Sequence, residues 1–231
     1  MLLRFILLPL VMTSSFAAAM PPTDPLLGKL SIDRAEYALD DGDSYALETE
    51  ARIGRDIDAL LIKLEAEKEE NSDKEGELKL LWSHAVSPYW DRTLGIALDA
   101  GEGPDKAWLA AGFKGTAWYF VHADFTFHLG SDNLHKLEVE LDKEIPLNLR
   151  WSVSPEFEAL AYNRTDPHRM LGAGLAKAET RLLLRYRFKG KFHAYLGLVN
   201  ETLFGNTRSL ARKMDEHTSD TRWVLGMSAW F

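Results

Sequence analysis

Apolar and polar residues alternate one for one along most of this chain from residue 30 onward. Lys177 to Phe188 shows the pattern most fully. Lys177, Glu179, Arg181, Arg185 and Arg187 share one face with Leu183, and the opposite face carries Ala178, Thr180, Leu182, Leu184, Tyr186 and Phe188. Side chains alternate across a strand, so this period of two predicts a two-faced strand and excludes a helix there. The same pattern recurs elsewhere. Tyr45, Leu47, Ala51 and Ile53 oppose Glu48, Glu50 and Arg52, while Leu60, Ile62, Leu64 and Ala66 oppose Lys63, Glu65 and Glu67. Val121, Ala123, Phe125, Phe127 and Leu129 oppose His122, Asp124, Thr126 and His128. Leu149, Trp151, Val153 and Phe157 oppose Arg150, Ser152, Ser154, Glu156 and Glu158.

These runs predict about twelve strands, near 31–39, 44–53, 58–69, 76–86, 90–100, 105–114, 119–129, 134–142, 147–160, 175–188, 192–202 and 221–231. No helix-period run of useful length is present. Connections alternate between tight and long. The tight ones are Gly54-Arg55-Asp56, Ser87-Pro88-Tyr89, Gly115-Thr116-Ala117, Glu144-Ile145-Pro146 and Lys189-Gly190-Lys191. The longest are Asn163 to Gly174 and Phe204 to Asp220. An even strand count with short turns at one end and long loops at the other predicts an all-β, antiparallel up-and-down β-barrel of the transmembrane kind.

Alternation alone also fits a soluble barrel with its apolar face inward. Other features favour lipid outside and charge inside. Arg4, the apolar run Phe5 to Met12 and the small residues Phe16-Ala17-Ala18-Ala19 read as a signal peptide over 1–19. Eight apolar residues fall well short of the roughly 20 needed for a spanning helix. A short segment, 20–29, then leads into a barrel over 30–231. Trp82, Tyr89, Trp90, Trp118, Tyr119, Trp223 and Trp230 lie near strand ends, where an interfacial girdle belongs, and the chain stops on Phe231 inside a strand.

Composition removes several function classes. There is no cysteine, hence no disulfide, thiolate zinc site or cysteine nucleophile. A net charge of −8 without a dense basic run excludes a nucleic-acid partner. Charges on the inward face predict an ionic lumen whose acidic and basic groups neutralise one another across a narrow interior.

Several stretches together resemble the copper resistance protein B family of Gram-negative outer membranes, over about 30–231. They are Ile32 to Tyr37, Ile53-Gly54-Arg55-Asp56, Leu61 to Glu67, Gly172-Ala173-Gly174-Leu175, Leu183-Leu184-Arg185-Tyr186 and Phe192 to Leu198. The most specific is His84-Ala85-Val86-Ser87-Pro88-Tyr89-Trp90-Asp91, close to the family's R-A-I-S-P-[FY]-W-D. The resemblance implies an outer-membrane barrel tied to copper tolerance, without known catalysis. Its partners would be the copper ion, outer-membrane lipid and a periplasmic copper-binding protein. Family members usually carry a long Met- and His-rich segment before the barrel, and only Pro21 to Gly28 fills that place here.

Copper ligands must then come from the barrel and its loops. His168 and Met170 on one long loop, and Met214 and His217 on the other, combine thioether with imidazole, which suits copper. His122, Asp124 and His128 share the inward face, but residues six apart on a strand are roughly 20 Å apart and need partners from other strands. Hydrolysis would need a Ser and a His hydrogen-bonded on the lipid-facing side; Ser83 and His84 are adjacent and so point to opposite faces, and His217-Thr218-Ser219 lies in a loop. Two other readings remain open. One is a narrow general pore or structural outer-membrane barrel without copper function, and the other is a soluble periplasmic barrel with a ligand inside.

Overall fold

The computed structural model describes residues 24–40, 44–68, 75–101, 105–166, 169, 171–215 and 217–231. The strands are β1 (Leu27–Ala38), β2 (Tyr45–Gly54), β3 (Asp58–Lys68), β4 (Glu75–Ser87), β5 (Trp90–Ala100), β6 (Lys106–Thr116), β7 (His122–Gly130) and β8 (His135–Asp142). They continue with β9 (Ile145–Pro146), β10 (Trp151–Tyr162), β11 (Gly174–Lys189), β12 (Phe192–Leu203) and β13 (Ser219–Trp230). Each pairs antiparallel with its neighbours, and β1 meets β13 to close the ring. The two-residue β9 only prolongs the pairing of β8 against β10, so the barrel has twelve staves. Closure leaves no free sheet edge, as a wall in lipid requires.

The radial order inverts that of a soluble protein. Leu182 is 55% exposed and Leu184 40%, while Arg181, on the opposite face of the same strand, is 6% exposed. Around the ring, Leu60, Leu94, Leu109, Phe113, Phe127, Leu137 and Leu225 are exposed, whereas Lys63, Lys79, Asp124, His128, Lys136, Glu138, Glu179 and Arg222 are buried. A sheet with apolar side chains outward and charges inward matches a hydrocarbon surround, the arrangement the alternation predicts.

Close contact inside the ring needs some positions without a side chain. A Cβ on Gly226 would lie 2.4 Å from the Tyr195 ring, so this glycine is what lets Tyr195 lie against the inner wall. From there the Tyr195 hydroxyl donates to Glu36 Oε2 at 3.1 Å.

Four local expectations differ from the structure. β1 begins at Leu27, so the barrel takes in three residues assigned to the leading segment. The strand expected from 147 begins at Trp151, because Asn148 Oδ1 accepts from the Arg150 and Trp151 amides (2.9 and 3.0 Å) and turns Leu147–Arg150 back on itself. The turn expected at 115–117 lies at 117–121, where Trp118–Phe120 forms a 3₁₀ turn with Tyr119 and Phe120 at φ 60° and 58°. The chain also contains a helix, α1 (Gly205–Lys213), where none was expected. Its Arg212 and Lys213 suit the negative helix C-terminus, but nine residues carry too little periodicity to show in the sequence.

α1 also ties the two longest loops together. The Gly172 amide donates to Thr207 Oγ1 at 2.8 Å, and the Phe204 amide to the Ala176 carbonyl at 2.9 Å.

Candidate metal centre

The lumen divides into two halves along the barrel axis. Toward the short-turn end lies a cavity of about 800 Å³. Eleven carboxylates, eight Lys or Arg side chains, His122 and His193 contribute to its wall. Toward the long-loop end the lumen is filled by side chains. There Lys79, Lys136, His128, Glu138 and Trp108 are each under a tenth exposed.

Chords of opposite charge span the lumen in a staircase. Glu50 on β2 accepts from Lys114 on β6 at 2.6 Å, Lys63 on β3 donates to Asp124 on β7 at 3.0 Å, and Lys79 on β4 donates to Glu138 on β8 at 2.8 Å. Each chord joins strands four apart in the ring. Register explains the order: Glu50 pairs with Lys63 and Lys63 with Lys79 along one wall, while Lys114 pairs with Asp124 on the other. On the remaining wall Arg181 binds Glu36, Glu156 (3.2 Å) and Glu179 (3.0 Å), and Arg222 reaches Glu179 at 3.6 Å. This is the neutralising network expected of a crowded ionic lumen. Taking charges out of water is costly, so each buried ion here needs its partner.

The candidate ligands fall in different places. His122 lines the cavity, with Nδ1 3.4 Å from Thr116 Oγ1. Asp124 is engaged by Lys63 and accepts from Thr126 Oγ1 at 3.0 Å. His128 is fully buried in the filled half, with Nε2 2.9 Å from Glu138 Oε2. The three share a face but not a centre, in line with the strand spacing. Met214 and His217 are exposed just beyond α1; His168 and Met170 lie outside the described residues.

The groups brought together around His128 come from other strands. Glu77 on β4, His128 on β7 and Glu138 on β8 place ligand atoms within 4.8 Å of one another, and Glu65, Glu138 and Glu140 do the same. Glu77 and Glu138 alternate inward like many other carboxylates. Nothing in the sequence distinguishes them, because the β4–β8 juxtaposition depends on how far the ring curves between them. Imidazole with carboxylates suits a borderline divalent ion such as Cu(II).

An apolar outer wall, a closed twelve-strand ring and an ionic, half-filled lumen define a β-barrel of the transmembrane class. Solved structures agree at the level of fold. The KdgM porin superposes with a TM-score of 0.54 at 11% identity, covering 88% of this chain and 99% of that one. The NanC porin gives 0.54 at 10% identity, covering 87% and 98%. The family model for Copper resistance protein B precursor (CopB) matches residues 26–231, and the chain belongs to that family. The copper resistance protein B homolog of Pseudomonas syringae pv. tomato (strain ATCC BAA-871 / DC3000) is 33% identical over 200 residues, 86% of this chain and 68% of that protein. Copper resistance protein B of Escherichia coli is 28% identical over 201 residues, 87% of this chain and 68% of that protein.

Proposed function

We propose that this chain is an outer-membrane barrel of copper homeostasis that binds copper ions in its lumen and passes them across the membrane. In that membrane the short turns face the periplasm and the long loops face outward, as in bacterial barrels generally. The cavity is then a periplasmic vestibule. The observation that carries the reading is its wall, where eleven carboxylates outnumber eight cationic side chains. Low-dielectric walls focus such a field and concentrate cations at the mouth. Family membership supports copper as the ion, and a periplasmic copper-binding protein would meet the barrel at this end. No catalytic step is part of the reading.

The long loops are a second place for copper. Gly172 bonded to Thr207 ties described parts of those two loops together, and the same loops carry His168 and Met170, and Met214 and His217, in the sequence. A site built on loop side chains binds weakly unless an outer shell of hydrogen bonds fixes its ligands.

Growth on graded copper tests the function. A strain lacking the chain should change its copper tolerance and regain it on complementation, with the chain found in the outer-membrane fraction as a heat-modifiable barrel. Unchanged tolerance would leave a structural barrel or general pore, and a soluble periplasmic pool would remove both membrane readings.

A further inference from the structure

The deep half of the lumen holds a cationic side chain exactly where two carboxylate groups and an imidazole converge. Lys79 is 2% exposed, and its Nζ lies 2.8 Å from Glu138 Oε1, 3.3 Å from Glu77 Oε2 and 3.3 Å from Glu65 Oε1. Glu138 belongs to both clusters of convergent ligand atoms. Glu65 lines the vestibule, whereas Glu77, His128 and Glu138 do not. Lys79 therefore stands at the vestibule floor, between the open cavity and the buried cluster.

The imidazole has donor capacity to spare. His128 is 0% exposed, and its Nδ1 is buried with no hydrogen-bond partner. Its Nε2 meets Glu138, and its ring stands edge-on to Trp108 at 6.1 Å. Ligand atoms around an ion at bond lengths near 2 Å are themselves roughly 3–4 Å apart. The ligand atoms here lie within 4.8 Å of one another, so binding draws them together by about 1 Å.

We propose that Glu77, His128 and Glu138 form a buried Cu(II) site whose resident occupant is the Lys79 ammonium, so that copper enters the deep lumen by displacing Lys79. Displacement leaves both lysines of the cluster a carboxylate: Lys136, which also touches Glu77 at 3.2 Å, lies 3.9 Å from Asp99. The Lys79 stem is flexible, and Glu65, which its Nζ already touches on the vestibule side, keeps it paired as it withdraws. Glu77 and Glu138 together carry the two negative charges that a divalent ion needs, and Cu(II) must hold them against Lys136 as well as Lys79. The identity of the ion rests on the copper reading above; the position of the site does not.

Copper(II) titration of the purified, detergent-folded barrel tests this, read by electron paramagnetic resonance and by competition with a chelator. Lys79→Met removes the competitor while keeping the stem's volume, and should bind one Cu(II) at least about tenfold more tightly than the unaltered barrel. The bound ion should show imidazole nitrogen coupling. Adding His128→Gln should abolish that coupling and reverse the gain. Equal affinity with and without Lys79, or a spectrum of oxygen ligands alone, would overturn the proposal. Should Lys79→Met fail to fold, His128→Gln in the unaltered barrel decides: loss of nitrogen coupling at saturating copper supports the site, and a retained signal refutes it. A deletion strain with normal copper tolerance would remove the physiological reading while leaving this titration to judge the site by itself.

Discussion

The two halves of the lumen are made from the same residue types on the same strands, yet they hold their charges differently. In the vestibule, Glu50 pairs with Lys114, whose side chain is 39% exposed, and the groups around them border open space. In the filled half, Lys79 and Glu138 are 2% and 4% exposed and pair with each other across the ring. Alternation puts a charge inward in both places. Position along the stave then decides whether water or an opposite charge completes its surroundings. The vestibule suits capture of hydrated cations, and the filled half suits selective coordination by a few fixed groups.

Stability measurements should separate the halves sharply. Glu138→Leu takes from buried Lys79 its shortest ion pair and leaves Glu77 to be shared by Lys79 and Lys136; removing one partner of a buried ion pair costs about 3–5 kcal/mol, and a urea unfolding series in lipid vesicles should read that loss. A loss below about 1 kcal/mol would mean that water reaches the filled half and that the contrast is false. On the outer wall, Leu184→Arg should cost about 2–4 kcal/mol if residue 184 sits near the bilayer midplane. Spin labels at 182 and 184 should meet lipid and those at 181 and 185 should not; the reverse would invert the register. In the vestibule, Glu50→Gln should cost under about 1 kcal/mol, because solvent screens a partly exposed pair. A large loss there would make the vestibule part of the structural network.

The wall of this barrel was far more legible in the sequence than its interior. Leu182 and Leu184 outward with Arg181 inward follow from a period of two, which is local and survives any tertiary arrangement. Ring closure and strand number followed from counting runs and turns. His128 and Glu138 sit on the paired strands β7 and β8, but Glu77 comes from β4, and only the curvature of the closed ring brings it to them. Local side-chain chemistry also hid the Asn148 turn, where one amide oxygen capturing two backbone amides overrides a sound alternation. α1 stayed hidden for a different reason, being too short to establish a helical period.

The smallest expected effect concerns the loops. Replacing Met170 and Met214 together by leucine keeps size and apolarity while removing both thioethers. Copper retention by the purified barrel should fall slightly, and less than with His128→Gln. A larger fall in the methionine double variant would move the principal site from the lumen to the outer mouth.

The central claim is that copper enters this lumen. Barrels reconstituted into liposomes, exposed briefly to copper and separated from free ion by gel filtration, test it through the copper that travels with the vesicles. This one quantity captures both binding and passage. The account predicts clear excess copper over empty liposomes and over liposomes carrying an unrelated porin, with the excess reduced by Glu77→Gln together with His128→Gln. Copper no higher than in empty liposomes would contradict it.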